Sequence, residues 1–236
     1  MAHMLDNPVW SALISCNKEL CEGVDGVKYF ASDVSPFVGF ETPLSQALEL
    51  LHDLVPAKRI LGVVSPAALV VPGEWQVVQQ MHALQMVQEA ATGDAVGEQQ
   101  LVPLGPEHVP AMLALTKSTN PGPFASNTIA FGHYAGIFDG NELVSMAGQR
   151  LHPEPYAEIS AVCTHPDYLG RGYARQLLQH QAQRIRAAAG IPFLHVRADN
   201  TGAIKLYHSL GFATRKEMNI YIIQKAPAST QPEAEG

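Results

Sequence analysis

The sequence predicts an α/β chain in two units, a smaller N-terminal α/β lobe over residues 1–98 and a larger α/β domain over residues 99–226. Three observations predict it. Between Ile159 and Ala189 a glycine-bearing loop joins a strand-like run to a long amphipathic helix. Asp139-Gly140-Asn141-Glu142 separates two apolar runs in the way a hairpin turn does. The stretch Ala91 to Gln100 is small and polar, the composition of a linker between units.

In the first lobe, Leu44, Ala47, Leu48, Leu51 and Val55 recur at helical spacing, so Pro43 to Val55 reads as a helix. Ile60 to Val64 reads as a short buried strand. Trp75 to Val87 mixes strand-like residues with Met81, Leu84 and Met86, and periodicity alone leaves its state open. Past the linker, Pro106 to Lys117 forms a helix, with Pro106 suited to a first turn. His133 to Phe138 and Leu143 to Gln149 are strands that pair antiparallel. Tyr156 to Thr164 is a third strand and Gly172 to Ala189 a helix. The helix carries one apolar stripe of Ala174, Leu177, Leu178, Ala182, Ile185 and Ala189, and Gly190-Ile191-Pro192 stops it. Pro192 to Val196 is a strand, Thr201 to Leu210 a helix and Ala213 to Gln224 a final strand. Residues 227–236 have almost no apolar bulk and are expected to form a disordered tail.

With 47% hydrophobic and 16% charged residues, the 236-residue chain has the composition of a packed globular protein. A formal net charge of −7 argues against a general grip on nucleic acid or anionic lipid, which leaves small-molecule or peptide chemistry. Cys16, Cys21 and Cys163 cannot all pair, and the first two have no second ligand pair nearby, so no metal is expected. Neither a secretory apolar region nor an 18-residue apolar span is evident, which points to the cytoplasm and away from a membrane.

The most informative stretch runs from Ile159-Ser-Ala-Val-Cys-Thr164 through Gly170 and Gly172 into the helix. Glycines there permit positive φ and close ligand approach, and the unpaired amides opening the helix favour an anion such as pyrophosphate. A plain turn with a helix cap would look the same. Arg175 stands where a dinucleotide fingerprint needs its third glycine, and no Gly-Lys-Ser/Thr segment occurs, so two rival phosphate motifs weaken.

Leu169-Gly170-Arg171-Gly172-Tyr173-Ala174 resembles the loop Gln/Arg-x-x-Gly-x-Gly/Ala of the GCN5-related N-acetyltransferases, departing from it at Leu169. Downstream, Asn200, Ala203, Tyr207 and Gly211-Phe212 resemble that family's Asn-x-x-Ala-x-x-x-Tyr-x-x-x-Gly-Phe segment. The resemblance covers roughly residues 99–225 and is closest to the FR47-like branch. It implies a mixed central sheet flanked by helices. The activity it implies is transfer of an acetyl or short acyl group from acyl-CoA, acetyl-CoA first, to a primary amine of a small molecule or peptide by direct attack in a ternary complex.

By that resemblance, Leu169, Gly170, Arg171, Gly172, Tyr173, Ala174 and Arg175 form the pyrophosphate loop, acting mainly through backbone amides. The strand at Val162, Cys163 and Thr164 pairs with pantetheine, and Asn200 and Ala203 flank the same arm. Asn200 could equally cap its helix. Tyr207 is expected to donate a proton to the departing thiolate, against the plainer reading of a half-buried aromatic. Glu158 and His195 compete as the base, Glu158 first, against plainer readings as a strand-end carboxylate and a core histidine. The acceptor is expected over Thr116 to Asn127 and the strands around His133 and Arg150. A non-catalytic acyl-CoA-binding module stands as the alternative. A weaker reading is a two-lobed acyltransferase resembling the glycine N-acyltransferases, its first lobe a degenerate copy of the second.

Overall fold

The computed structural model describes residues 3–41, 44–90 and 100–227. The expected linker and tail lie outside these ranges except at Gln100 and Pro227. Described strands form one mixed sheet in the order β1-β2-β3-β4-β11-β5-β10-β9-β8-β7-β6. The strands are β1 Cys21–Val24, β2 Val27–Phe30, β3 Phe37–Phe40, β4 Leu61–Ser65, β5 Trp75–Val87, β6 Val102–Pro103, β7 Ala135–Asp139, β8 Glu142–Gln149, β9 Tyr156–Thr164, β10 Ile191–Arg197 and β11 Ala213–Lys225. Helices α1 Pro8–Leu13, α2 Leu44–Leu54, α3 Val109–Thr119, α4 Tyr173–Ala187 and α5 Thr201–Ser209 flank it. Pairing is parallel at β3–β4 and β9–β10 and antiparallel elsewhere.

Trp75–Val87, which periodicity left open, is a strand because both of its neighbours demand it. β11 pairs with it along its whole length, and β10 pairs with residues 83–87. Strands β1 to β3 and helix α1 carry no assignment from the sequence reading, although Asp25-Gly26 sits between β1 and β2 just as Asp139-Gly140 opens the β7–β8 turn. That first Asp-Gly pair was the available signal.

Two clusters pack the N-terminal half. One closes α2 onto the sheet through Leu48, Leu51, Val38, Leu61, Trp75 and Ile223. The other joins Leu5, Val9, Phe30 and Phe37 to Phe131, Leu151, Phe193 and Met218, so both expected units contribute to one core. On the face opposite this second cluster, α4 and α5 cover β8 to β10 with Leu177, Leu178, Ile185, Tyr207 and Leu210. No helix among the described residues is long and apolar enough to cross a membrane.

Phe193 is fully buried in the shared cluster, edge-on to Tyr156 and His195. Phe193→Ala is expected to cost about 3–5 kcal/mol through lost burial and a residual cavity. Urea denaturation should show both halves losing that stability in one transition.

Candidate functional site

Strands β9 and β10 pair only at Tyr156–Ile191, Ala157–Pro192 and Glu158–Phe193, although each continues well beyond. Past that point they part, so the β10-facing backbone groups of β9 are open from Ile159 to Thr164. A bulge in the β8–β9 pairing, with Ala161 at φ 52°, accompanies the parting. Val162, Cys163 and Thr164 therefore stand on an unpaired strand edge of the kind an extended amide chain can extend.

At the end of β9 the chain turns through Pro166–Tyr168 into the glycine loop. Gly170 and Gly172 hold φ of 77° and 80°, conformations that cost a side-chain-bearing residue. Open space surrounds both where a Cβ would stand. Gly172 is the N-cap of α4; no side chain caps that helix and no carboxylate lies in its first turn. Its amides are left for an anion. Thr164, Leu169 to Arg175 and Leu206 line a groove of about 300 Å³. Leu169 is 67% exposed, so its departure from the family's polar residue removes no packing. Arg171 lies over the Tyr168 ring at 4.5 Å, and Arg175 donates to Ser209 Oγ at 2.7 Å, tying the loop to α5. These residues suit a pyrophosphate.

Asn200 caps α5, its Oδ1 accepting from Ala203 N at 3.1 Å, which leaves its amide NH₂ for other partners. Two turns further on, Tyr207 packs in a cluster with Ala157, Ile159, Leu194 and Val196 of β9 and β10. Burial pushes its phenol up to about 12, and among the described residues its hydroxyl has no hydrogen-bond partner. It is thus protonated at neutral pH and free to donate. Cys163 is buried, with its thiol pushed up to about 11 by burial, which suits packing better than thiolate chemistry.

Glu158 and His195, competitors in the sequence, are bonded to one another. His195 Nδ1 lies 2.8 Å from Glu158 Oε1. Arg150 forks onto the same carboxylate, with Nη2 2.7 Å from Oε1 and Nε 2.9 Å from Oε2. Glu158 is fully buried. Burial pulls its pKa upward, but the Arg150 guanidinium, by charge and hydrogen bond, and His195 overcome that and hold the carboxyl well below the usual range.

The chain of bonds continues into the N-terminal half. Arg215 Nε donates to Gln85 Oε1 at 2.6 Å and its guanidinium pairs with Asp6. Gln85 Nε2 therefore faces Leu5 O at 2.8 Å and His195 Nε2 at 3.0 Å. In that arrangement His195 accepts at Nε2 and donates from Nδ1 to Glu158. Gln85, Arg215 and Asp6 carried no motif, and their separation in sequence hid them.

Parts of the expected acceptor surface are engaged within the protein. Arg150 is half-buried, 13% of its side chain exposed, over the Phe37 ring at 4.8 Å, and its charge is matched by the buried Glu158. His133 lies against α4, accepting at Nδ1 from Arg184 Nε at 2.9 Å. Of the loop after α3, Phe124 meets Tyr134 edge-on at 5.8 Å, and Asn127 N donates to Asp33 O. Among the described residues no group of three or more His, Cys, Asp or Glu is placed to hold a metal ion.

Parted parallel strands beside a glycine loop and an uncapped helix define an α/β fold with an open strand edge leading to a helix N-terminus. A family model described as FR47-like protein matches residues 134–221. The chain is 33% identical to a GNAT-family protein of known structure from Novosphingobium aromaticivorans, over 96% of this chain and 100% of that one, with a TM-score of 0.89. It belongs to the GCN5-related N-acetyltransferase superfamily.

Over 84 residues it is 39% identical to the N-alpha-acetyltransferase RimI of Mycobacterium tuberculosis, a stretch covering 34% of this chain and 51% of that protein. Over 83 residues it is 32% identical to a mycothiol acetyltransferase of Saccharopolyspora erythraea, covering 35% and 27% respectively. The matched segment thus spans about half or less of these curated relatives.

Two outcomes follow from the buried groups. Glu158→Gln leaves the half-buried Arg150 without its counter-charge and should cost about 3–5 kcal/mol by urea denaturation. His152, lowered from 6.5 to about 4 by burial and then by His133, is neutral in the fold. The unfolded chain then binds the extra proton, so this histidine's contribution is complete above pH 6.5 and declines as the pH falls toward about 4. His152→Gln should flatten that part of the stability profile.

Proposed function

We propose that this chain is an acyl-CoA-dependent N-acetyltransferase that transfers an acetyl or short acyl group to a primary amine of a small molecule or peptide. The observation that carries the reading is the junction of the opened β9 edge with the uncapped start of α4, with Tyr207 beside it. Amides at Gly172 to Arg175 would hold the pyrophosphate, and the edge at Val162 to Thr164 the pantetheine. Asn200, with its Oδ1 committed to the helix, would offer its NH₂ to the same arm. The relatives named for acetylating an N-alpha amine and mycothiol support an amine acceptor without choosing between peptide and metabolite. A cytoplasmic setting agrees with such substrates.

In this reading the amine nitrogen attacks the thioester carbonyl carbon, forming the C–N bond. As the carbonyl re-forms, the C–S bond breaks and Tyr207 gives its proton to the sulfur. Water returns a proton to the phenolate and takes the one the amine loses, leaving an amide and CoA thiol. Glu158 is a poor base here because its oxygens are engaged and its pKa is depressed. His195 has its free lone pair directed at Gln85. The pair acts instead as a fixed anchor where β9 and β10 separate.

Acetyl-CoA at about 100 times its dissociation constant should raise native stability by roughly 2.7 kcal/mol, read as a thermal shift. Gly172→Glu, which adds strain and a negative charge at the loop, should abolish that shift. A saturating amine panel with acetyl-CoA then separates an enzyme from a binding module, since binding without turnover would favour the latter. Tyr207→Phe keeps the ring packed against Phe212 and should lower kcat by roughly 10²–10⁴ with little change in acetyl-CoA affinity. His195→Gln should keep the acidic limb of kcat/KM; its loss would make His195 the base after all.

A further inference from the structure

Tyr134 stands just before β7, on the α3 face of the sheet, and its buried hydroxyl has no hydrogen-bond partner among the described residues. A buried orphan of this kind costs stability unless a ligand completes it. The ring lies across Gly148 of β8, where a side chain would collide with it. Gly148 pairs with Ser160 of β9, and the phenol lies close enough to Arg150, Glu158 and Cys163 to feel their charge, which sets it on the β9 side. Ala161 and Cys163, the residues of that bulged segment, share its apolar cluster. Phe124 fixes the ring from the side.

We propose that the Tyr134 hydroxyl is a donor in the acyl subsite, hydrogen-bonding the thioester carbonyl oxygen of the bound acyl-CoA. The inference rests on the acyl-CoA reading given above. Three observations select the carbonyl. The hydroxyl is enclosed, and a pantetheine arm bound along the opened β9 edge would bring its acyl end, rather than a solvent-borne acceptor, to the depth of the bulge. Burial raises the phenol's pKa, so it stays protonated and offers a hydrogen to a group that only accepts. The nearby charges of Arg150 and Glu158 are engaged with each other and do not compete for it. Oxygen charge that grows during attack on the carbonyl would strengthen the same bond, so the residue would act on the transition state as well as on the ground state.

The test compares acetyl-CoA with CoA, which lacks the carbonyl, by calorimetric titration of the wild-type protein and Tyr134→Phe. The preference of the wild type for acetyl-CoA should fall by about fivefold in the variant, the worth of one hydrogen bond, with CoA affinity unchanged. Because the lost oxygen is unpaired in the free protein, the ligand-free variant should melt at or above the wild-type temperature. An unchanged preference overturns the assignment. So does an unchanged preference with a raised KM for the amine, which would move the phenol to the acceptor side. If neither ligand binds the wild type, the acyl-CoA reading itself fails. If Tyr134→Phe alone loses CoA affinity, the ring is structural and the assignment falls.

Discussion

The site depends on where β9 and β10 stop sharing a backbone ladder. Three residue pairs hold them parallel, and the last of these is Glu158 with Phe193. Beyond it, side chains take over from main chain, since Glu158 reaches His195 two residues further along β10 while Arg150 grips the same carboxylate from the end of β8. A charge buried at this point is tolerable only because both its oxygens are engaged. The arrangement fixes the separation of two strands whose facing edges must remain unpaired, a condition that an apolar contact of similar size would specify less sharply.

The same anchor explains why the N-terminal half is part of the site's construction. His195 is held on its other nitrogen by Gln85 of β5, Gln85 by Arg215 of β11, and Arg215 by Asp6 ahead of α1. β11 itself lies between β4 and β5, so the last strand of the chain is sewn into its first half. Phe30, Phe37, Phe193 and Met218 pack in one cluster beneath this network. Rigid elements on both sides thus position the fork, as a site needing accurate geometry requires.

Two tyrosines approach the parted strands from opposite faces of the sheet. Tyr207 comes with α5 and the α4-side core, and Tyr134 with the α3-side core. Both are buried, and for both burial raises the phenol's pKa. The difference lies in how they became visible. Tyr207 sits at a motif spacing from Asn200 and Gly211, whereas Tyr134 has no local signature; its meaning comes from Gly148 beneath it and from β9 one strand further on.

The sequence by itself determined the elements whose causes are local. The β7–β8 turn follows from an Asp-Gly pair, α4 from a single apolar stripe, and the loop at Gly170 and Gly172 from the need for positive φ. Helix α5 follows from the Asn200 cap. These features act within a few residues, so spacing alone exposes them. Tertiary structure decided whatever rests on groups distant in the chain. It made Trp75–Val87 a strand by pairing it with β11, and it turned Glu158 and His195 from rivals into partners by bringing Arg150 and Gln85 to them. It also joined Arg150 to the buried Glu158, because a carboxylate is tolerated in the interior once a guanidinium meets it there, and no property of Arg150's neighbours in sequence records that meeting.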